Sequence, residues 1–144
     1  MTNNTINVST RDTVDVKKYF IRFDSIENAN NWLISQDSIV ITSMAVSTAT
    51  EFSFPANNIV ITEVRIEYIQ YPHRVNHCYG ISEISHSSLY VSAKIESLRN
   101  KWIQNNPDKK YVYCVKSTTR RHLMGTGFGF ISFVKDKLVV LFKY

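Results

Sequence analysis

The residues best suited to chemistry are concentrated in the segment STTRRHLMGTGFGFISF at 117–133. Three of the four glycines of the chain lie here, directly after two arginines and a histidine. Arginine can bind phosphate through two parallel hydrogen bonds, and glycine lets backbone N–H groups approach an oxyanion closely. An aromatic ring beside them could stack on a base. The segment thus predicts a phosphate-plus-base site with these candidate residues: Lys116, Arg120, Arg121, His122, Gly125, Thr126, Gly127 and Phe128, with Arg99 as a further cation.

The same glycines have a second interpretation. Their spacing matches neither GxGxxG nor GxxxxGK[ST], so it predicts neither a dinucleotide fingerprint nor a P-loop. A long hairpin that uses the glycines as bulges would also explain them. Bulge glycines alone would not need two adjacent arginines, which is the observation that favours an anion site.

Other reactive residues form weaker patterns. His73 and His77 are four residues apart and Cys78 follows, but Pro72 places them in a predicted loop, where no helix would hold a metal-binding geometry. His86 precedes two serines, yet no complete hydrolase, metalloprotease or Cys/His signature is present. We therefore predict no metal site, no cofactor, no catalytic residue and no enzymatic activity.

Charge is distributed unevenly along the chain. Residues 1–72 carry five Lys/Arg and eight Asp/Glu, a net of −3, whereas residues 73–144 carry twelve and four, a net of +8. This asymmetry favours a face that binds anions over a uniformly charged surface. The polar N-terminal sixteen residues and the two scattered cysteines predict a soluble protein of a reducing cytoplasm, without a membrane segment.

Hydrophobic periodicity predicts a flexible arm at 1–15 and a single α+β domain at 16–144. Strands are expected at 17–23, after residue 37 and at 58–71, with a helix following Asp24. A loop is expected at 72–86, a helix at 87–107 with Ser88 as its N-cap, and then three strands with a turn near Lys135 and Asp136. The predicted order is β-α-β-β-α-β-β-β, a mainly antiparallel sheet of about six strands with two helices and no internal repeat.

The segments NNWLISQDSIVI and RRHLMGTGFGF, with this length and layout, resemble the phage anti-Thoeris proteins that sequester cyclic ADP-ribose signals. The resemblance implies a non-enzymatic homo-oligomer, acting in the cytoplasm of a phage-infected host, that encloses an intact nucleotide.

Two classes of function remain open from the sequence. The first is a non-catalytic protein that sequesters a phosphorylated, cyclic nucleotide signal, with Arg120 and Arg121 contacting phosphate. The alternative is a basic module that binds nucleic acid or inhibits a host protein through the same residues.

Overall fold

The computed structural model describes residues 17–53, 56–75, 78–125 and 129–144. It contains six strands and two helices, all strand pairs being antiparallel, which confirms the predicted α+β class. In chain order the elements are β1 (Lys18–Phe23), α1 (Ile26–Ile34), β2 (Ile39–Ser53), β3 (Ala56–Gln70), β4 (Tyr79–Leu89), α2 (Ile95–Asn105), β5 (Lys110–Gly125) and β6 (Gly129–Lys143). The predicted arm at 1–15 lies outside the described residues.

The strands form two sheets with the same topology. The first sheet has the order β1-β3-β2 and the second has the order β4-β6-β5. Each sheet is therefore built from one β-α-β-β unit whose last strand lies in the centre. The described residues thus form a topological repeat, although the sequence pattern predicted no internal repeat.

The two sheets pack face to face. Val64 and Ile66 of the first sheet share a buried core with Val139 and Leu141 of the second, and Leu33 of α1 belongs to the same core. We call the side of the second sheet that faces this core the inter-sheet face. The other side, called the helix face, carries Leu138, Val140 and Phe142 and is covered by Leu98 and Trp102 of α2.

Helix α1 joins the two units. Ser25 is its N-cap, since the Ser25 hydroxyl accepts from the backbone N–H of Asn28 at 3.1 Å. Farther along the helix, the Asn30 side chain donates to the carbonyl of Ile81 at 2.8 Å and accepts from its N–H at 2.7 Å. The Asn30 side chain thus provides hydrogen bonds to both the N–H and the C=O of Ile81 at the outer edge of β4, as a neighbouring strand would.

Three local predictions are wrong. About half of the predicted loop at 72–86 belongs to strand β4. The second helix was predicted at 87–107 with Ser88 as its N-cap, but it begins at Ile95, with Lys94 as an N-cap that makes no side-chain hydrogen bond. The turn expected at Lys135 and Asp136 lies inside the unbroken strand β6. Asp136 can occupy a central strand because its carboxylate is fully hydrogen-bonded, as described below. Among the helices within the described ranges, none is long and apolar enough to span a bilayer.

The close approach at Gly80 gives a stability prediction. Gly80 pairs in register with Phe142, and a Cβ at position 80 would overlap Cζ of that ring. Because overpacking a well-packed core costs about 1–3 kcal/mol, we expect Gly80→Ala to lower the free energy of unfolding by that amount. Urea denaturation measures it, with Ser85→Ala on the same strand as the control. Equal stability of the two variants would contradict this packing.

Candidate functional site

Adjacent side chains of a strand point to opposite faces of its sheet, and this separates the two arginines. Arg121 lies on the inter-sheet face, where its guanidinium carbon is 4.1 Å from the centre of the Phe52 ring. Arg120 lies on the helix face, and its Nη1 donates to the carbonyl of Tyr90 at 3.3 Å. The structure does not bring the two guanidinium groups together into one clamp.

On the inter-sheet face, the site is built from two rows of side chains that cross the second sheet. In the outer row, Phe133 of β6 pairs with Leu89 of β4 and with Arg121 of β5. In the next row, Lys135 pairs with Ser87 and with Thr119. Paired residues of antiparallel strands share a face, so an aromatic ring, two cations and two hydroxyl groups meet on one side.

The end of the β2–β3 hairpin lies over these rows and leaves a cavity. The cavity has a volume of about 190 Å³ and is lined by Asn57, Ser87, Thr119, Arg121, Phe133, Val134 and Lys135. Its wall is thus contributed by both sheets.

Two polar atoms of the cavity lining lack partners. Arg121 Nη1 and Asn57 Oδ1 are both inaccessible to solvent, and neither makes a hydrogen bond within the part of the chain that the structure describes. A buried donor or acceptor without a partner costs about 1–3 kcal/mol. The two residues that carry these unsatisfied atoms line one cavity, and this favours a ligand whose binding lets the side chains complete their hydrogen bonds.

Two lysines hold the hairpin over the second sheet. Lys135 Nζ donates to Asn58 Oδ1 at 2.7 Å, and Lys137 Nζ donates to the carbonyl of Ile59 at 3.1 Å. Lys137 Nζ is also 3.4 Å from a carboxylate oxygen of Glu83. Glu83 is thus paired with Lys137, whereas Arg121 and Lys135 form no salt bridge with a carboxylate among the described residues.

The helix face holds a different polar cluster, centred on the fully buried Asp136. Its carboxylate accepts from the Thr118 hydroxyl at 2.6 Å, the Ser92 hydroxyl at 2.9 Å and the N–H of Ala93 at 2.8 Å. Lys116 Nζ lies 3.6 Å from Asp136 Oδ1 and also donates to the Ala93 carbonyl and the Ser92 hydroxyl. The predicted ligand residue Lys116 is therefore engaged in the fold, away from the cavity.

These contacts set the protonation of Asp136. Burial by itself raises the pKa of the carboxyl group, but the hydrogen bonds from Thr118, Ala93 and Ser92, together with the charge of Lys116, outweigh it and lower the pKa below the ordinary 3.8. Asp136 is thus an anion at neutral pH. Its charge balances Lys116, which is consistent with a role in holding residues 92 and 93 against the sheet.

Most of the other predicted ligand residues also lie outside the cavity lining. His122 Nδ1 is 2.7 Å from the Ser132 hydroxyl, and Arg99 of α2 lies 5.8 Å from the centre of the Tyr111 ring. Gly125 pairs with Gly129 where β5 and β6 end and begin. Thr126, Gly127 and Phe128 lie outside the described residues, so their predicted roles stay predictions.

The histidines are dispersed. His73 contacts the Tyr71 ring, with 5.7 Å between ring centres, while His86 Nδ1 lies 3.9 Å from a carboxylate oxygen of Asp136. His77 is outside the described residues. Within the described ranges, no three His, Cys, Asp or Glu residues are grouped as metal ligands would be.

Sequence reasoning identified Arg121 but missed most of the cavity: Asn57, Ser87, Thr119, Phe133 and Lys135. The alternation of a strand could have placed Thr119 with Arg121, and an unbroken β6 would have placed Phe133 with Lys135. The packing of the β2–β3 hairpin over them has no local signal in the sequence. No protein family model, no curated protein and no solved structure matches this chain.

Proposed function

We propose that this protein binds a small phosphorylated ligand of the nucleotide class in the inter-sheet cavity and holds it without converting it. The observation that carries the proposal is that Arg121 and Lys135 line one cavity, and that the buried Nη1 of Arg121 has no acceptor among the described residues. A phosphate oxygen is the acceptor that a guanidinium group binds best.

The position of Arg121 supports tight binding. Its guanidinium group lies on the Phe52 ring, which holds it in place before any ligand arrives. Binding is tighter when fewer side chains must be ordered. Lys135 is likewise fixed by Asn58, so both cations are pre-organised.

The remaining lining fits the rest of a nucleotide. Asn57 lines the cavity with an amide whose oxygen has no partner among the described residues, and the hydroxyls of Ser87 and Thr119 can donate or accept. The cavity of 190 Å³ is smaller than the roughly 300–1,000 Å³ of most ligand sites. We infer that it holds the phosphate and sugar, and that the base extends toward the exposed Phe52 ring.

The resemblance to the anti-Thoeris proteins specifies the ligand further, as cyclic ADP-ribose captured intact. Sequestration needs affinity without chemistry, and the described cavity supplies cations, hydroxyls and an aromatic ring. What supports a small ligand over nucleic acid is that Arg121 and Lys135 line a cavity, whereas Arg120 and Lys116 are on the opposite face of the sheet.

Native mass spectrometry tests the proposal. The protein is mixed with AMP, cyclic ADP-ribose isomers, inorganic phosphate and a short single-stranded DNA. We expect one intact nucleotide per cavity, with a modest loss of affinity at higher salt because the ligand carries few phosphates. Binding of the DNA alone, with a steep salt dependence, would contradict the proposal and favour a nucleic-acid-binding module.

A further inference from the structure

The outer edge of β4 differs from the other edges of the two sheets. Edge strands expose backbone N–H and C=O groups and are usually protected by charges, bulges or short length. β1 has six residues and carries Lys18 and Arg22. β2 contains two irregularities of register, and β5 contains one together with several lysines and arginines.

β4 lacks these protections apart from one acidic residue, Glu83. Its eleven residues, YGISEISHSSL, include no lysine, arginine or proline. Its register with β6 is continuous from Tyr79 to Leu89. The side chains of Glu83, Ser85 and Ser87, at the middle of the strand, lie on the inter-sheet face and are exposed. A regular edge whose one acidic side chain, Glu83, is already paired with Lys137 is suited to pairing with another strand.

The hydrogen bonds at the two ends of β4 define which backbone groups are available. Ile81 uses its outward N–H and C=O on the Asn30 side chain, and the Leu89 carbonyl accepts from the N–H of Val91. Alternate residues of an edge strand face outward, so Glu83, Ser85 and Ser87 also point their backbone groups away from β6. No other described residue hydrogen-bonds to those groups.

We propose that this edge pairs with the same edge of a second copy of the chain, antiparallel and centred on Ser85. Ile81 and Leu89, whose outward backbone groups already make hydrogen bonds, each lie four residues from Ser85. In such a pair, Ile81 of one copy would lie opposite Leu89 of the other. Each copy offers three N–H donors, at Glu83, Ser85 and Ser87, so the pair gains six hydrogen bonds. The result is a continuous six-stranded sheet.

The side chains favour this self-pairing over pairing with an arbitrary peptide. Glu83 would lie opposite Ser87 of the second copy, and Ile84 would lie opposite His86, so no like charges meet. The Glu83 carboxylate is already balanced by Lys137 at 3.4 Å. The proposal is independent of the proposed nucleotide site.

Sedimentation velocity over a dilution series, combined with amide hydrogen exchange, tests the pairing. We expect a concentration-dependent dimer in which the amides of Glu83, Ser85 and Ser87 exchange more slowly at high concentration. The amides of the even-numbered residues between them bond to β6 and should exchange slowly at every concentration. A monomer throughout the series, or a dimer that leaves the three amides unprotected, would overturn the proposal.

Two variants separate loss of pairing from loss of fold. Ser85→Pro removes a backbone N–H that makes no hydrogen bond within the described fold. Ser85→Glu places two glutamates opposite each other at the two-fold axis of the dimer. Within its own sheet, each glutamate would pair with Lys137. Each variant should weaken dimerisation at least about tenfold, because two symmetric hydrogen bonds or a like-charge contact are involved. Ser85→Thr is the control and should dimerise as the wild type does. Unchanged dimerisation in both test variants would place the interface elsewhere.

Discussion

Replacing Arg121 by alanine is expected to weaken nucleotide binding at least about 30-fold. Truncating one member of a buried, hydrogen-bonded charge pair costs about 2–5 kcal/mol, and 1.4 kcal/mol corresponds to a factor of ten. The structural loss is small, because the main contact given up is the one with the Phe52 ring, worth about 0.5–1 kcal/mol at an exposed site. Isothermal titration calorimetry with AMP and cyclic ADP-ribose measures the affinity, and a thermal melt measures the stability.

Arg120→Ala is the matched control. The residue is of the same type and adjacent in the chain, but it lies on the helix face and bonds to the carbonyl of Tyr90. It should retain wild-type affinity. If the two variants lost affinity equally, both arginines would contact phosphate, as the sequence predicted, and the assignment of the ligand to the cavity would be wrong. A large fall in the melting temperature of Arg121→Ala with affinity intact would make Arg121 a structural residue.

Asp136→Asn is expected to destabilise the protein by about 3–5 kcal/mol, the cost of removing one partner from a buried ion pair. The carboxylate accepts hydrogen bonds from Thr118, Ser92 and Ala93 through both of its oxygens. An asparagine side chain has one oxygen and one NH₂ group, and the NH₂ group cannot accept any of these hydrogen bonds. Lys116 would also keep its charge with no carboxylate beside it. Chemical denaturation monitored by circular dichroism gives the free energy of unfolding.

The charge of Lys116 can be separated from the lost hydrogen bonds by a second variant. Asp136→Asn combined with Lys116→Met should recover part of the lost stability, because no unpaired charge then remains. Asp108→Asn, at an exposed turn, is the control and should change stability by less than about 0.5 kcal/mol. If Asp136→Asn were as stable as this control, the hydrogen-bonded cluster would contribute nothing to folding.

The lowered pKa of Asp136 also determines how the difference in the free energy of unfolding between wild type and Asp136→Asn changes with pH. Because the folded pKa lies below the ordinary 3.8, the carboxylate contributes its full stability above that value. The contribution is lost as the pH falls through the folded pKa. The stability difference between wild type and Asp136→Asn should therefore be constant near neutral pH and become smaller in acid.

The sequence predicted those parts of the fold that are encoded by local patterns. The alternation of Val64, Ile66 and Tyr68 with charged residues identified β3, and the recurrence of Leu98 and Trp102 identified α2. β4 was missed because its alternating residues are mostly serines, which give no hydrophobic period. Asp136 suggested a turn, since the sequence does not show the donors that surround it in the fold.

The candidate site was predictable only in part for a related reason. Arg121 was among the predicted cations and Lys135 was not, and which of Arg120 and Arg121 faces the cavity depends on the register of β5 against β6. Asn57 comes from the other sheet, through long-range packing. The topological repeat was likewise invisible, because the two units share strand order without a shared residue pattern.

The most direct test of the account is to locate the ligand by NMR. Spectra of the backbone amides, the Arg121 Nε–H group and the Asn57 side-chain amide would be recorded during titration with cyclic ADP-ribose and with AMP. We expect saturable shifts at Arg121, Asn57, Ser87 and Thr119, with Arg120 Nε–H and the α2 amides unchanged. Shifts confined to the helix face, or no saturable shift with either nucleotide, would contradict it.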